Sequence, residues 1–183
     1  MRLRVVDKPI VIDDFLDEKS LYWIHNDIAV VGWKFGQRSV PETVYPMWYS
    51  LKYTRDWGDD KEPNVFYKSV TDKFCRVIND YYGEQVRIRR VMTCGNTYGQ
   101  EGDIHRDRQE PGCYTGVIHL TENFKPHWGG ETVVYTDPIT TAEYKYNRLV
   151  MFPSEIPHIG RAPIRQCGAL RIVLSITADV IDA

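Results

Sequence analysis

The pattern of apolar and polar positions predicts two amphipathic helices in the N-terminal half of the chain. Apolar residues recur at intervals of three and four after Asp14 or Asp17 through about Val30, and again from Asn64 to about Tyr82. This spacing places the apolar side chains on one face of a helix. Either aspartate could cap the first helix, and Gly83 is expected to end the second.

The C-terminal half follows a different pattern, in which short segments rich in β-branched and aromatic residues are separated by turn residues. These segments predict strands, and a further short strand is predicted at 10–16. The predicted strands of the C-terminal half are 85–93, 113–120, 130–135, 147–152 and 169–177. Such a succession favours an antiparallel double sheet. The predicted fold is mainly β with flanking helices and a double-stranded β-helix, or jelly-roll, core.

We expect residues 1–183 to form one domain, with 85–178 as the jelly-roll core and 1–84 as its helical and irregular N-terminal support. Residues 31–61 show neither the helical nor the strand periodicity, and they are rich in aromatic side chains. These aromatics either close one end of the core or form a substrate-facing wall or lid, because long irregular segments are often functional. They are Trp33, Phe35, Tyr45, Trp48, Tyr49, Tyr53 and Trp57.

Composition and charge exclude several classes of function. The formal net charge is −2 and there is no basic block, so nucleic acid is not an expected partner. No apolar run approaches the ~20 residues that span a bilayer, and the N-terminus lacks the apolar stretch of a secretory signal. The chain is therefore expected to be cytoplasmic, with no membrane partner. The four cysteines form no Cys-x-x-Cys motif and are expected to be free thiols.

Two His-x-Asp pairs are candidates for a metal site. His25 and Asp27 lie in the first predicted helix, where positions i and i+2 point to nearly opposite sides. His105 and Asp107 follow an extended run, and in an extended chain positions i and i+2 share a face. Together with His158 they supply two imidazoles and one carboxylate, a set that leaves open positions on a non-haem Fe(II). The sequence therefore predicts a metal site at His105, Asp107 and His158.

Arg171 is the candidate for binding an acidic cosubstrate. Along the strand predicted at 169–177 it shares a face with Val173 and Ser175, while the alternate positions are aliphatic. Both faces are expected to be covered, and a buried guanidinium requires an anionic partner. Its planar fork matches a carboxylate with two parallel hydrogen bonds. The alternative is a structural ion pair with one of three acidic residues, Glu131, Asp137 or Glu143.

Several short motifs occur in a distinctive order along the chain. In sequence they are Asp13-Asp14-Phe15-Leu16, Gly99-Gln100 before His105-Arg106-Asp107, Gly129-Gly130-Glu131-Thr132, Arg148-Leu149-Val150-Met151-Phe152-Pro153, His158, and Arg171-Ile172-Val173-Leu174-Ser175. This ordered set resembles the Fe(II)/2-oxoglutarate-dependent dioxygenases, and specifically their prolyl 4-hydroxylase-like branch. The resemblance covers roughly residues 85–177 well, and the N-terminal third only through the first motif.

The resemblance implies that His105, Asp107 and His158 bind Fe(II), and that Arg171 binds the distal carboxylate of 2-oxoglutarate, the cosubstrate. It also implies ascorbate as an optional reductant. The implied reaction is hydroxylation of an unactivated C–H bond, because halogenases of this superfamily lack a carboxylate at the position of Asp107. A prolyl residue in a peptide or protein is the first candidate substrate, and a free amino acid or another small molecule is the alternative. The oligomeric state is left open.

The resemblance suggests three further site residues. Tyr98 and His119 lie near positions from which tyrosines of related enzymes contact the cosubstrate, and both are predicted to do so here. Arg165 is the alternative to Arg171, because the spacing from His158 to Arg171 is longer than in some relatives and collagen-type members usually carry a lysine there. Two other classes are weighed as alternatives. A zinc hydrolase could use the same ligands but would leave Arg171 without a role, and a non-catalytic jelly-roll binding module would need neither the ligands nor the arginine.

Overall fold

The structure is a computed structural model that describes residues 8–30, 32–55 and 63–181. Within these ranges the chain forms two α-helices, ten strands and one short 3-10 turn at Pro126–Trp128. The helices are α1 (Glu18–Val30) and α2 (Val65–Tyr82). The strands are β1 (Ile10–Ile12), β2 (Lys34–Gln37), β3 (Met47–Thr54), β4 (Val86–Asn96), β5 (Cys113–His119), β6 (Thr132–Val134), β7 (Thr140–Ala142), β8 (Leu149–Pro153), β9 (His158–Gly160) and β10 (Arg171–Val180).

The strands form two antiparallel sheets. The large sheet has the order β1-β8-β5-β10-β4-β3-β2, and the small sheet has the order β7-β6-β9. Val134 and Ala142 of the small sheet pack against Val150 and Phe152 of the large sheet, so the inner faces of the two sheets are opposed. The predicted fold class, mainly β with a jelly-roll core, is confirmed.

Both helices cover the outer face of the large sheet, where the main hydrophobic core lies. Phe74 of α2 and Ile24 of α1 are fully buried in this core, together with Leu174 and Ile176 of β10. A Cβ atom at Gly116 of β5 would overlap the ring of Phe74, so glycine is required for the close approach of α2. No helix in the described parts of the chain is long and apolar enough to cross a membrane.

The ends of the helices show which predicted capping residues are used. The carboxylate of Asp17 accepts a hydrogen bond from the Ser20 amide at 2.7 Å, so Asp17 rather than Asp14 caps α1. The side chain of Asn64 accepts from the Phe66 amide at the start of α2. Gly83 ends α2 with a left-handed φ of 69°, a conformation that glycine adopts without steric cost.

The expectation that residues 31–61 are irregular is wrong for much of the described segment. Strands β2 and β3 pair with each other, and β3 pairs with β4, so the segment extends the large sheet. Register shifts between Phe35 and Gln37, and between Leu51 and Tyr53, interrupt the alternation of side chains and hide it in the sequence. Trp57, the last aromatic of this stretch, lies outside the described residues.

Candidate metal centre

The three predicted metal ligands lie together at the inner edge of the small sheet. His105 and His158 form an isolated antiparallel bridge, in which the His105 amide donates to the His158 carbonyl at 3.0 Å and the His158 amide donates back at 2.9 Å. Asp107 follows two residues later in the extended chain. One ligand atom from each of these residues lies within 4.8 Å of the other two.

The hydrogen bonds of the imidazoles leave the nitrogen that faces the centre free to bind a metal. Nδ1 of His105 lies 2.9 Å from the Asp103 carbonyl oxygen, and Nδ1 of His158 lies 3.0 Å from the Ile156 carbonyl oxygen. A carbonyl oxygen only accepts, so each Nδ1 donates its hydrogen and each Nε2 keeps its lone pair. The two Nε2 atoms lie 3.9 Å and 3.6 Å from carboxylate oxygens of Asp107.

Two hydroxyl groups hold the Asp107 carboxylate. Thr115 Oγ1 donates to Asp107 Oδ2 at 2.7 Å, and the Ser154 hydroxyl, also 2.7 Å away, must then donate to Thr115. Burial lowers the pKa of His158 despite the nearby carboxylate, which favours the neutral ring that metals bind. Burial would raise the pKa of Asp107, but opposing influences that include the charge of Arg90 and the hydrogen bond from Thr115 outweigh it and hold the pKa below its usual value. The set fits a divalent metal that binds two neutral imidazoles and one carboxylate.

These residues open into a pocket between the two sheets, with a free volume of about 140 Å³. Its floor is the inner face of the large sheet, and the small sheet forms the opposite wall. Residues between β2 and β3 close one side, although none of them is aromatic. The lining consists of Gln37, Arg38, Ser39, Met47, Arg90, Met92, Cys94, Asn96, His105, Asp107, Thr115, Val117, Thr132, His158, Gly160, Arg171, Val173 and Ser175.

Arg171 lies in the same pocket with its side chain almost fully buried. The predicted alternation of β10 is observed, because Arg171, Val173 and Ser175 face the pocket and the alternate aliphatic residues face the helices. Nε donates to the Gly130 carbonyl at 2.7 Å, and Nη1 lies 3.5 Å from Asn96 Oδ1. The buried Nη2 has no hydrogen-bond partner among the described residues.

The surroundings of Arg171 leave one edge of its guanidinium open to a ligand. The structural ion pair with Glu131, Asp137 or Glu143 is not formed, since Arg171 bonds instead to a carbonyl and an amide oxygen. A Cβ atom at Gly160 would lie only 3.3 Å from Nη2, so a side chain there would crowd this edge. Burial lowers the pKa of Arg171, and an anion at the Nη1–Nη2 edge would compensate its charge.

The three remaining candidate residues lie apart from this pocket. Tyr98 is 62% exposed in a turn beyond the end of β4, so the strand alternation that would have turned it inward no longer applies. Arg165 is exposed in a turn as well. His119 is fully buried, with Nε2 3.2 Å from Oγ1 of Thr132, and its ring stacks on Tyr144. His119 therefore reaches the pocket only through Thr132.

Among the pocket residues that sequence reasoning did not identify, three contact Asp107 or Arg171: Arg90, Asn96 and Thr115. Asn96 and Arg90 continue the alternation of Met92 and Cys94 along β4, and this alternation was a signal that could have located both. Thr115 is a buried polar residue in a mainly apolar strand. The sequence shows that Thr115 lies on the same face of the strand as Val117 and His119, but it does not show the contact of Thr115 with Asp107.

The second His-x-Asp pair is divided between two structural contacts. His25 Nε2 lies 3.0 Å from the hydroxyl of Tyr146. Asp27 accepts from the hydroxyl of Tyr67 at 2.6 Å and pairs with Lys52 at 2.6 Å. The two side chains therefore do not converge, as the helical geometry predicted.

No protein-family model matches the sequence, and no curated protein matches it. Solved structures do. An oxidoreductase of the 2OG-Fe(II) oxygenase family from Burkholderia pseudomallei superposes with a TM-score of 0.74 at 16% identity, covering 93% of this chain and 84% of that one. The chain has the fold of the 2OG-Fe(II) oxygenases.

Prolyl hydroxylases share this fold. One from Trichoplax adhaerens, solved with a hypoxia inducible factor peptide, gives a TM-score of 0.67 at 16% identity over 96% of this chain and 84% of that one. A viral collagen prolyl hydroxylase from Paramecium Bursaria Chlorella virus-1, solved with 2OG, gives 0.67 at 14% identity over 94% and 96%. At these identities the similarity establishes the 2OG-Fe(II) oxygenase fold alone.

Other solved proteins with the 2OG-Fe(II) oxygenase fold are not described as prolyl hydroxylases. They include an epimerase and a carbocyclase from nogalamycin biosynthesis, both described as alpha ketoglutarate dependent. Another is HygX from Streptomyces hygroscopicus, solved with nickel, 2-oxoglutarate and hygromycin B. The fold therefore does not select a substrate.

Proposed function

We propose that this chain is an Fe(II)- and 2-oxoglutarate-dependent oxygenase that hydroxylates an unactivated C–H bond. The observation that carries the proposal is the presence, in one pocket, of two imidazoles and one carboxylate with free ligand atoms and of a buried arginine with an open edge. Solved structures with this fold that contain nickel and 2-oxoglutarate, or 2OG, support the same assignment.

Several residues of the pocket would have distinct roles in such a site. Nε2 of His105 and of His158 and one oxygen of Asp107 would hold the metal, which supplies oxygen activation when bound. The carbonyl partners of both Nδ1 atoms fix the orientation of the rings, and Thr115 fixes the carboxylate. Arg171 would orient the cosubstrate through its distal carboxylate.

We propose two candidate classes for the prime substrate. A prolyl residue of a peptide is suggested by the resemblance to prolyl 4-hydroxylases. A small molecule is suggested by fold neighbours that include an epimerase and a protein solved with hygromycin B. A role for ascorbate as reductant and a cytoplasmic location both stay predictions. We also propose that residues 1–183 act as one domain, which the pairing of β1 with β8 supports.

A zinc hydrolase is the alternative that uses the same ligands. The two functions are distinguished by whether binding of 2-oxoglutarate depends on the metal. In the proposed oxygenase, 2-oxoglutarate contacts both the metal and Arg171, so calorimetry should show tight binding to the Ni(II)-loaded protein and weak binding to the metal-free protein. Equal binding to the two forms, or no binding to either, would contradict the proposal. Hydrolysis of model esters by the Zn(II)-loaded protein alone would favour the hydrolase.

A further inference from the structure

Arg90 lies at the end of the pocket opposite Arg171. Strand β4 presents alternate residues to the pocket from Arg90 to Asn96, and Asn96 contacts Arg171. Arg90 and Asn96 are six positions apart along the strand, a distance of roughly 20 Å. Asp107 lies at the Arg90 end, with Oδ1 3.6 Å from Nη2 of Arg90. The metal ligands are thus located between two arginines, one at each end of the pocket.

The guanidinium of Arg90 is paired with Asp107 but, among the described residues, is not held by a hydrogen bond from its Nε. Its side chain is 30% exposed, and this Nε is buried. The 3.6 Å separation from Asp107 is longer than a hydrogen bond. Asp107 would also place its negative charge on a divalent metal under the proposed function, which leaves the Arg90 end of the pocket positive.

We propose that Arg90 binds a carboxylate of the prime substrate and thereby places a nearby C–H bond beside the metal. This inference rests on the proposed function. An arginine fork matches a carboxylate with two hydrogen bonds. The substrate is therefore expected to carry a free carboxylate, as a small carboxylic acid or the C-terminal residue of a peptide does.

Calorimetry on the full chain loaded with Ni(II) and 2-oxoglutarate tests this, because Ni(II) permits binding without turnover. The probes are the common L-amino acids, each compared with its carboxamide, and N-acetylated dipeptides with a free or an amidated C-terminus. At least one free acid should bind roughly tenfold or more tightly than its amide. The dipeptides distinguish a peptide C-terminus from a free amino acid as the source of the carboxylate.

Variants connect this preference to Arg90. In Arg90→Met the preferred acid should bind no better than its amide. The preference of Arg90→Lys for the acid should lie between those of the wild type and Arg90→Met, because lysine keeps the charge but loses the fork. Arg87→Met removes an exposed arginine of the same strand and should match the wild type. Ni(II) affinity is measured on each variant, since the hydrogen bond from Thr115 should continue to hold Asp107 in Arg90→Met.

Three results would overturn the inference. The first is a wild type that binds no free acid better than its amide, and the second is an Arg90→Met variant that keeps the preference. The third is a loss of Ni(II) affinity in Arg90→Met large enough to explain the lost binding, which would make Arg90 a positioning residue for Asp107. Failure of the wild type to bind Ni(II) and 2-oxoglutarate would overturn both the inference and the proposed function, whereas the first two results leave the proposed function intact.

Discussion

Replacing Arg171 with methionine removes the guanidinium while keeping a long side chain in the same space. The open Nη1–Nη2 edge is the part of Arg171 that would meet the distal carboxylate of 2-oxoglutarate. Loss of one partner of such a buried, hydrogen-bonded charge pair costs about 2 to 5 kcal/mol, which corresponds to a roughly 30- to 5,000-fold weaker affinity. Arg171→Lys should fall between the wild type and Arg171→Met, because an ammonium keeps the charge without the fork.

The assay is calorimetric titration of 2-oxoglutarate into the Ni(II)-loaded protein, together with the affinity for Ni(II) itself. Ni(II) affinity should change little, since the hydrogen bonds of Arg171 go to Gly130 and Asn96 and not to the metal ligands. Because Gly130 and Asn96 lose a donor in Arg171→Met, urea denaturation must show that the variant is folded. Arg165→Met is the matched control, as it removes an exposed arginine. Wild-type affinity in Arg171→Met, or a loss confined to Arg165→Met, would refute the assignment.

Three further predictions concern the metal centre and the stability of the fold. Alanine at any one of the three metal ligands should abolish specific Ni(II) binding while the chain stays folded, measured by calorimetry and circular dichroism; retained affinity would exclude that residue as a ligand. Thr115→Val should weaken metal affinity by about 10- to 100-fold, since it leaves Asp107 without its 2.7 Å hydrogen bond, and an unchanged affinity would contradict this role. Hydrogen bonds from Arg148 and Lys145 hold the pKa of Asp13 well below its usual value, so its contribution to stability is present above the unfolded pKa of about 3.9 and is lost as the pH falls toward the folded pKa. Asp13→Asn should therefore lower the free energy of unfolding at pH 7 by at most about 1 kcal/mol, because the pair is partly exposed, and the difference from the wild type should shrink below about pH 4; a pH-independent difference would count against the ion pair.

The elements with an unbroken period could be predicted from the sequence. The helix at Asn64 to Tyr82 has an apolar stripe, a cap and a terminal glycine, and α2 lies within one residue of these bounds. The alternation around Arg171 located the inner face of β10 correctly. In both cases the local sequence carries the whole signal, because burial on one face repeats along the element.

Elements with an interrupted period could not be predicted. The register shifts in β2 and β3 break the alternation, and β7 and β9 have only three residues each, too few to show a period. The same limit explains Tyr98, whose predicted orientation assumed that β4 continues beyond Asn96, where a turn begins. The contacts of Arg90 and Thr115 with Asp107 join residues from separate segments and depend on tertiary packing.

Turnover of 2-oxoglutarate tests the central proposal most directly. The purified protein is incubated with Fe(II), oxygen and 2-oxoglutarate, and succinate formation and oxygen consumption are measured together. The proposed oxygenase should form succinate with matched consumption of oxygen, and His158→Ala should form none. Zn(II) in place of Fe(II) should also give no succinate. Absence of succinate from the wild type loaded with Fe(II) and 2-oxoglutarate, or its formation at an equal rate by His158→Ala, would contradict the proposal.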